Sequence, residues 1–214
     1  MKVLLSSVAV LVLLLVARLC TAQESGFTPL FDGQTLAGWQ GDEKIFRVQD
    51  GAIVAGSLKD KVAHNEFLAS KEEFGDFELR LKARLVGTGQ NAGVQFRSQR
   101  IDNHFEMIGY QCDMGTMMGR PIWGALYDES RRRKFLVEPD AEKLKAVFKP
   151  EDWNDLVIRC EGPRIQIWIN GLQTCDYTEA DAALPRRGRL GLQIHGGEPA
   201  EAGYKDIRVK RIGG

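Results

Sequence analysis

Three strand-like stretches of this sequence each carry two polar side chains at alternate positions. Because alternate residues of a strand point to the same face, each pair would project from one side of a sheet. Planar amides, a guanidinium, a carboxylate and an imidazole can together hydrogen-bond to the hydroxyls of a sugar. If the strands share a sheet, the pairs form one polar platform, and ordinary exposed strand faces are the alternative. The pairs are Gln95 and Arg97 in "NAGVQFRSQ", Gln111 and Asp113 in "GYQCDMG", and Gln193 and His195 in "GLQIHGG".

His195 is the member of this set best suited to proton transfer, because imidazole titrates near neutral pH. The two glycines after it leave room for a ligand to approach the backbone, whereas a structural or surface histidine is the alternative. His104, two residues before Glu106, is placed to join the site from its rim. Asp113, Glu106 and His195 are also the candidate ligands of a divalent metal ion, which would act as an electrophile.

The stretch "PIWGALYDESRRRK" adds aromatic and basic residues to these candidates. Trp123 and Tyr127 have the same parity, so they are predicted to form an aromatic wall beside the platform. Aromatic residues that cap the core are the alternative. The dense basic run at 131–134, taken by itself, is typical of a solvated loop.

The elements that must position these residues follow a period of two. In "FELRLKARLV" one face holds Phe77, Leu79, Leu81, Ala83 and Leu85. Asn170-Gly171 and Asp50-Gly51 each lie between two strand-like runs, which is a strong hairpin signal. Many short alternating strands with glycine-rich turns predict an antiparallel β-sandwich or barrel of a dozen or so strands. Further strands are predicted at 92–99, 106–113, 121–127, 153–160, 188–195 and 204–212, with one short helix at 141–148.

The N-terminal residues have the anatomy of a secretory signal peptide. Lys2 precedes an apolar run from Val3 to Ala17, and Cys20 and Ala22 occupy cleavage-site positions. The run is short for a transmembrane span, and an uncleaved membrane anchor is the alternative. We therefore expect residues 1–22 to be removed and residues 23–214 to form a single domain of an exported protein, periplasmic or extracellular, without a stable membrane span.

Charge and cysteine content narrow the class of protein further. Loss of residues 1–22 changes the formal net charge from 0 to −2, which favours neither nucleic acid nor an anionic membrane surface. Cys112, Cys160 and Cys175 remain, and an odd number in an oxidising compartment leaves at least one thiol. Cys160 and Cys175 flank a predicted hairpin and would either pair or stay as buried thiols. The sequence also lacks the nucleophile elbow, P-loop, dinucleotide-binding, HExxH and EF-hand motifs.

Several segments, in this order, resemble the 3-keto-disaccharide hydrolase family of secreted bacterial proteins. The resemblance runs from Phe27 to Ile212. It implies a concanavalin A-like jelly-roll sandwich that binds carbohydrate, in characterised members a glycoside oxidised to a ketone at C3. The segments are "GFTPLFDGQTLAGW", "EEFGDFELRLKARL", "GQNAGVQFRS", "GYQCDMG", "WNDLVIRCEGPRIQIWINGLQTCDY" and "GRLGLQIHGGEPAEAGYKDIRVKRI".

The chemistry implied by this resemblance begins with removal of the C2 proton, which the neighbouring ketone acidifies. The C1 substituent then leaves by β-elimination, and water adds to the enone. The expected base is His195 or Asp113, with Glu106 in reserve. The other expected roles are enolate stabilisation by Arg97 with Arg131, proton donation by Tyr127, and substrate binding by Gln95, Gln111, Gln193 and Trp123. A non-catalytic carbohydrate-binding module of the same fold is the alternative, and a scaffold domain without sugar binding is a third.

Overall fold

The computed structural model describes residues 25–89 and 91–213, so the predicted signal peptide at 1–22 lies outside the described residues. Apart from one short helix, the regular elements are strands. Among the described residues no helix is long and apolar enough to cross a membrane. In chain order the elements are β1 (Thr28–Pro29), β2 (Trp39–Gln40), β3 (Phe46–Gln49), β4 (Ala52–Ser57), β5 (Glu66–Phe74), β6 (Phe77–Gly87), β7 (Asn91–Arg100), β8 (Met107–Met117), β9 (Arg120–Pro121), β10 (Leu126–Glu129), β11 (Phe135–Val137), α1 (Ala141–Val147), β12 (Asn154–Glu161), β13 (Arg164–Ile169), β14 (Leu172–Thr178), β15 (Gly188–Ile194) and β16 (Ala200–Arg211).

The strands form two antiparallel sheets that share one apolar core. The first sheet has the order β14-β13-β12-β6-β16-β4-β3, with β1 beside β16. The second has the order β11-β10-β8-β7-β15-β5-β2, with β9 beside β8. In the middle of both sheets the neighbours are distant in sequence, as with β6 beside β16 and β7 beside β15, which is typical of a jelly-roll sandwich. The predicted antiparallel jelly-roll sandwich is confirmed.

The period of two correctly identifies the faces that build this core. Phe77, Leu79, Leu81 and Ala83 are buried on one face of β6, and Leu85 packs against the same core. Both predicted hairpins form as well, with positive φ at both central residues of each turn, as type I′ turns require. These turns are Asn170-Gly171, with φ of 47° and 84°, and Asp50-Gly51, with φ of 51° and 72°.

The predicted strand at 121–127 is wrong in its first half, and this removes Trp123 from the predicted aromatic wall. The chain turns at Gly124, where φ is +79°, before β10 begins at Leu126. A Cβ at Gly124 would lie 2.3 Å from Thr174 Oγ1, so the turn also needs the space that glycine leaves. Trp123 is 2% exposed and packs in the core with Phe148, their ring centroids 5.1 Å apart.

Arg97 is turned away from the predicted platform by a β-bulge. The register of β7 with β8 shifts between Phe96 and Gln99, and Arg97 has φ of +47°. A bulge of this kind redirects a side chain. The buried guanidinium donates to the carbonyls of Gly75 (3.1 Å) and Gly162 (2.8 Å) and pairs with Asp76 Oδ1 at 2.7 Å. Arg97 therefore joins two turns instead of facing a ligand.

Replacing Arg97 by alanine is expected to destabilise the fold by ~2–3 kcal/mol, because two carbonyls and a carboxylate lose their donors. Urea unfolding measures the change, and Arg186→Ala, at an exposed position, is the matched control. A stability equal to that of the control would contradict the structural role assigned to Arg97.

The first half of the basic run after β10, Arg131 and Arg132, is half-buried and paired, whereas Arg133 and Lys134 are exposed, so the predicted solvated loop is wrong for the first two residues. Asp128 is fully buried and accepts from Arg131 Nε at 2.7 Å and from Arg132. Arg132 also pairs with Glu179 at 2.6 Å, and the Arg131 guanidinium lies 4.6 Å from the centroid of Tyr110. Arg131 therefore packs against a core residue and does not lie on the predicted platform.

The three cysteines of the described chain are free, buried thiols. Burial raises the pKa of both Cys160 and Cys175 to about 12. Cys160 and Cys175 are therefore buried thiols in this structure and do not form a disulfide.

Candidate functional site

The outward face of the second sheet brings four of the six paired polar residues onto three neighbouring strands, and His195 directly follows one of these strands. Gln95 of β7 lies opposite Gln111 of β8, and Gln111 lies opposite Tyr127 of β10. One row further along, Gln193 of β15 and Asp113 of β8 both lie opposite Gly93. We call this surface the polar face: it consists of Gln95, Gln111, Asp113, Gln193 and Tyr127.

The amides of the polar face form a hydrogen-bonded chain that ends at a carboxyl group. Gln95 Nε2 donates to Gln111 Oε1 at 3.2 Å, and Gln111 Nε2 donates to Asp113 Oδ1 at 2.6 Å. Gln111 Nε2 also lies 3.4 Å from Gln193 Oε1. Gln193 is fully buried, and its Nε2 has no hydrogen-bond partner. A buried donor without a partner is costly, so this atom is suited to receive a ligand acceptor.

Gly93 lets this chain lie flat on the sheet. A Cβ at this position would be 2.7 Å from Gln111 Cδ and 2.9 Å from Gln111 Nε2. Such contacts are shorter than any that real Cβ atoms make, so another residue at 93 would displace the Gln111 side chain. The glycine thus fixes the position of the amide that holds Asp113.

Burial raises the pKa of Asp113 to about 7, with a smaller contribution from the charge of Glu129. The hydrogen bond from Gln111 opposes this rise. Burial also raises the pKa of Glu129, as does the charge of Glu106, whereas His195 acts in the opposite direction. A carboxyl group with a pKa near 7, such as that of Asp113, can give up or accept a proton at physiological pH.

Tyr127 stands beside these carboxyl groups at the edge of the polar face. Its pKa is raised by burial and by the charges of Glu129 and Asp113. The phenol therefore keeps its proton at neutral pH and can donate a hydrogen bond. Arg133, which is exposed, is the cation whose charge opposes the rise for both Tyr127 and Glu129.

The segment between β7 and β8 folds back over the polar face. Asn65, next to the start of β5, donates to Glu106 Oε1 at 2.9 Å, and Glu106 Oε2 is buried without a partner. Arg100 reaches the carbonyl of Phe67 at 2.6 Å. Met107 lies over Gly191, where a Cβ would be 2.7 Å from the Met107 sulfur. Of the glutamines, Gln95 is the one beside these contacts, since its Cβ and the Met107 sulfur both lie next to Gly191.

His195 lies directly after β15 and is exposed, unlike the polar face beside it. Its Nδ1 is 2.6 Å from the carbonyl oxygen of Gly196. Because a carbonyl can only accept, this contact places the proton on Nδ1 and leaves the Nε2 lone pair free in the neutral ring. The nitrogen of Gly196 donates to Asn65 Oδ1 at 3.0 Å. Asn65 thus connects the turn after His195 to Glu106.

A groove of about 220 Å³ opens beside His195, beyond the end of the polar face. Asn91 lies in the same row as His195, whose backbone nitrogen is 3.3 Å from the Asn91 carbonyl oxygen. The side-chain oxygen of Asn91 is buried and has no hydrogen-bond partner. The lining includes Thr88, Asn91, Thr116, His195, Gly196 and Glu198.

Across residues 25–89 and 91–213, no three His, Cys, Asp or Glu side chains form a group that could hold a metal ion. Asp113, Glu106 and His195, the candidate metal ligands, are therefore not arranged as a three-residue site in this structure. The three groups are linked electrostatically through Glu129, because the charges of Glu106 and His195 act on the pKa of Glu129 and the charge of Glu129 acts on the pKa of Asp113.

Three residues of this site were missed by the sequence patterns. Glu129 could have been found, because it follows Tyr127 at the same strand parity. Arg133 was not singled out because it belongs to a run of basic residues that is typical of loops. Asn65 carried no signal, since its role depends on a segment that reaches it from another part of the sheet.

The sequence matches the model of the 3-keto-alpha-glucoside-1,2-lyase-like domain over residues 26–210. The chain belongs to this family. The suspected resemblance is thereby confirmed, and it extends over both sheets and the polar face. No curated protein is similar enough in sequence to count as a match.

Solved structures with the same fold have low sequence identity to this family member. A Parabacteroides distasonis protein provisionally described as a glycosyl hydrolase has a TM-score of 0.65 and 18% identity, over 87% of this chain and 94% of that one. The carbohydrate-binding module CBM66 of Bacillus subtilis has a TM-score of 0.61 and 16% identity, over 81% and 95%. A Bacillus licheniformis β-glucanase has a TM-score of 0.54 and 11% identity, over 89% and 100%. At these identities the likeness shows the shared fold.

Proposed function

We propose that this protein cleaves the C1–O bond of 3-keto-glycosides. The observation that carries the proposal is that one face of the second sheet holds an exposed imidazole with a free Nε2, a buried carboxyl group with a pKa of about 7 and a chain of amides. Membership of the 3-keto-alpha-glucoside-1,2-lyase-like family supports the substrate class.

The proposed reaction has two stages, which together consume one water. In the first, a base removes the proton from C2, the electron pair forms the C1=C2 bond, and the C1–O bond breaks. The leaving oxygen takes a proton, so the products are an alcohol and an enone that keeps its C3 ketone. In the second, water adds its oxygen to C1 and a proton returns to C2, which gives the free 3-keto-sugar.

His195 is the proposed base for the first stage. It is exposed at the end of the polar face, and its Nε2 lone pair is free because Nδ1 bonds to Gly196. A positioned imidazole accelerates such proton transfers by about 10²–10⁴-fold. The same nitrogen then returns the proton to C2 in the second stage.

Asp113 is the proposed acid for the leaving oxygen. Its pKa of about 7 means that a large share of the carboxyl groups carry a proton at neutral pH. Loss of that proton leaves a carboxylate that the Gln111 amide, 2.6 Å away, stabilises. In the second stage this carboxylate is suited to take the proton from the attacking water.

Tyr127 and Arg133 are the proposed partners of the ketone oxygen, which becomes negative when C2 loses its proton. A phenol and a guanidinium lower the energy of such an oxyanion when they are already in place. They take the role first assigned to Arg97 and Arg131, because those two guanidinium groups are held by Asp76 and Asp128. Gln95, Gln111 and Gln193 orient the ring hydroxyls.

Binding of the sugar ring requires the segment at 101–106 to move away from the polar face. Gln95 and Gln193 are fully buried, and Gln111 and Asp113 are 2% and 3% exposed. The hydrogen bond between Asn65 and Glu106 joins this segment to the sheet. Its release also frees both oxygens of Glu106 for a ligand hydroxyl.

The direct test is to incubate the purified protein with 3-keto-trehalose and follow release of the free keto-sugar, with and without EDTA. The proposal predicts release from the keto-substrate and none from trehalose itself, because only the ketone acidifies C2. Binding without release would show a carbohydrate-binding protein, and absence of binding to a panel of keto-glycosides would contradict both sugar functions.

We also propose that the protein acts after export, on the basis of the signal peptide predicted at 1–22. Expression of the full chain in a bacterium, with mass spectrometry of the exported fraction, should give a mature N-terminus at Gln23. A protein that stays in the cytoplasm with its first residues intact would contradict this proposal.

A further inference from the structure

The groove beside His195 is continuous with the polar face. The groove is open to solvent, whereas the glutamines of the polar face are buried. The rows of the second sheet run from Gln95 and Gln111, through Gln193 and Asp113, to His195 and Asn91. His195 therefore stands where the polar face ends and the groove begins. If the keto-ring lies on the polar face, a group attached at C1 beyond His195 enters the groove.

The groove is lined by hydrogen-bonding groups in place of apolar ones. Asn91 Oδ1 is buried and unpartnered, so it needs a donor from outside the protein. The Thr88 hydroxyl donates to the carbonyl of Pro199 at 3.2 Å, which leaves its oxygen to accept. Thr116 adds a second hydroxyl. Two hydroxyls and an amide oxygen are partners for a ligand with several O–H groups.

The size and charge of the groove restrict the kinds of ligand that can bind there. Its volume of about 220 Å³ is below that of a site for a drug-sized molecule and suits a single ring. Among the described residues that line it none is Phe, Tyr, Trp, Lys or Arg, so His195 is the one partner there for an aryl group or an anion. Glu198 at its edge is already paired with Lys61 at 2.5 Å.

We infer that this groove is the leaving-group subsite and that it selects an uncharged, hydroxylated ring, such as the second sugar of a 3-keto-disaccharide, through Asn91 and Thr116. The inference rests on the proposed function, since it places the C1–O bond at His195. In this arrangement Asn91 accepts a hydroxyl of the leaving sugar, and the Thr88 and Thr116 hydroxyls contact its other polar groups.

Two substrates that share the keto-ring and differ in the leaving group test this inference. 3-Keto-trehalose releases a sugar, whereas methyl 3-keto-α-glucoside releases methanol, which cannot reach the groove. Asn91→Ala and the isosteric Thr116→Val are each expected to lower kcat/KM for 3-keto-trehalose by ~5- to 20-fold, the range for one or two lost hydrogen bonds. The methyl glycoside should change by less than about twofold, which is within the scatter of neutral surface changes.

Thr178→Val, on the exposed edge of β14 in the other sheet, is the matched control. Equal losses for both substrates, or no loss for either in the Thr116→Val protein, would overturn the subsite while leaving the proposed function intact. Failure of the natural protein to cleave either substrate would overturn both together.

Discussion

Replacing His195 with alanine is expected to lower the rate of keto-sugar release at least ~100-fold, the usual contribution of a general base. The side chain is exposed and its one observed hydrogen bond is to the neighbouring Gly196, so its loss should leave the fold unchanged. Initial rates with 3-keto-trehalose measure the effect, and thermal unfolding of the same preparation verifies the fold.

Added imidazole distinguishes a proton-transfer role from a structural one. Because the His195→Ala change opens space in an exposed position, free imidazole should restore part of the lost rate in proportion to its concentration. Thr178→Val, treated identically, should not respond to imidazole. A His195→Ala protein with the natural rate would refute the assignment of the base.

Replacing Asp113 with asparagine is expected to stabilise the protein at pH 8 while lowering its activity. The pKa of Asp113 is about 7 in the folded protein and 3.8 in the unfolded chain, so the unfolded state loses this proton first as pH rises. The native state is therefore not penalised below pH ~4, is increasingly penalised between pH ~4 and ~7, and carries the full cost, ~4 kcal/mol, above that range. Asparagine removes the charge and keeps an oxygen that can accept from Gln111.

Urea unfolding of both proteins at pH 4.5 and pH 8 measures this effect. The stability difference should be small at the lower pH and reach several kcal/mol at the higher one. Asp50→Asn, an exposed hairpin position where asparagine fits the positive φ, is the matched control and should show little pH-dependent difference. An equal gain in the free energy of unfolding at both pH values would show that the pKa of Asp113 is not near 7.

Release of keto-sugar completes the test of Asp113, because the amide cannot donate the proton that the leaving oxygen needs. The Asp113→Asn protein should lose most of its activity on a glycoside with a poor leaving group. Full activity in a more stable protein would separate the two roles and remove Asp113 from the reaction.

The sequence alone predicted the fold and most of the polar face, because a period of two decides which side chains share a side. Gln95, Gln111 and Gln193 could be assigned to one surface before their register was known. The register itself, which places Gln95 opposite Gln111 and Asp113 opposite Gly93, depends on pairing between strands that are distant in the chain.

The predictions for Arg97 and Trp123 are wrong because the backbone leaves the two-residue alternation at these places, and the pattern of apolar and polar residues does not show it. Val94 and Phe96 keep their alternation up to the bulge, so nothing in the residues indicates that Arg97 turns away. The turn at Gly124 interrupts the strand, so the alternation that would place Trp123 and Tyr127 on the same face does not continue through it. The contacts of Glu106 with Asn65 and of Met107 at Gly191 could not be predicted either, because they join residues that are distant in the chain.

The amide chain of the polar face has a consequence for the energetics of recognition. With no ligand bound, the glutamines hydrogen-bond mainly to one another and to Asp113, so a sugar exchanges one set of partners for another and gains little net free energy. The same exchange penalises a ring that lacks a single hydroxyl, because an amide in a dry environment is then left without a partner. The protein should therefore hold its ligand loosely and yet discriminate sharply between stereoisomers.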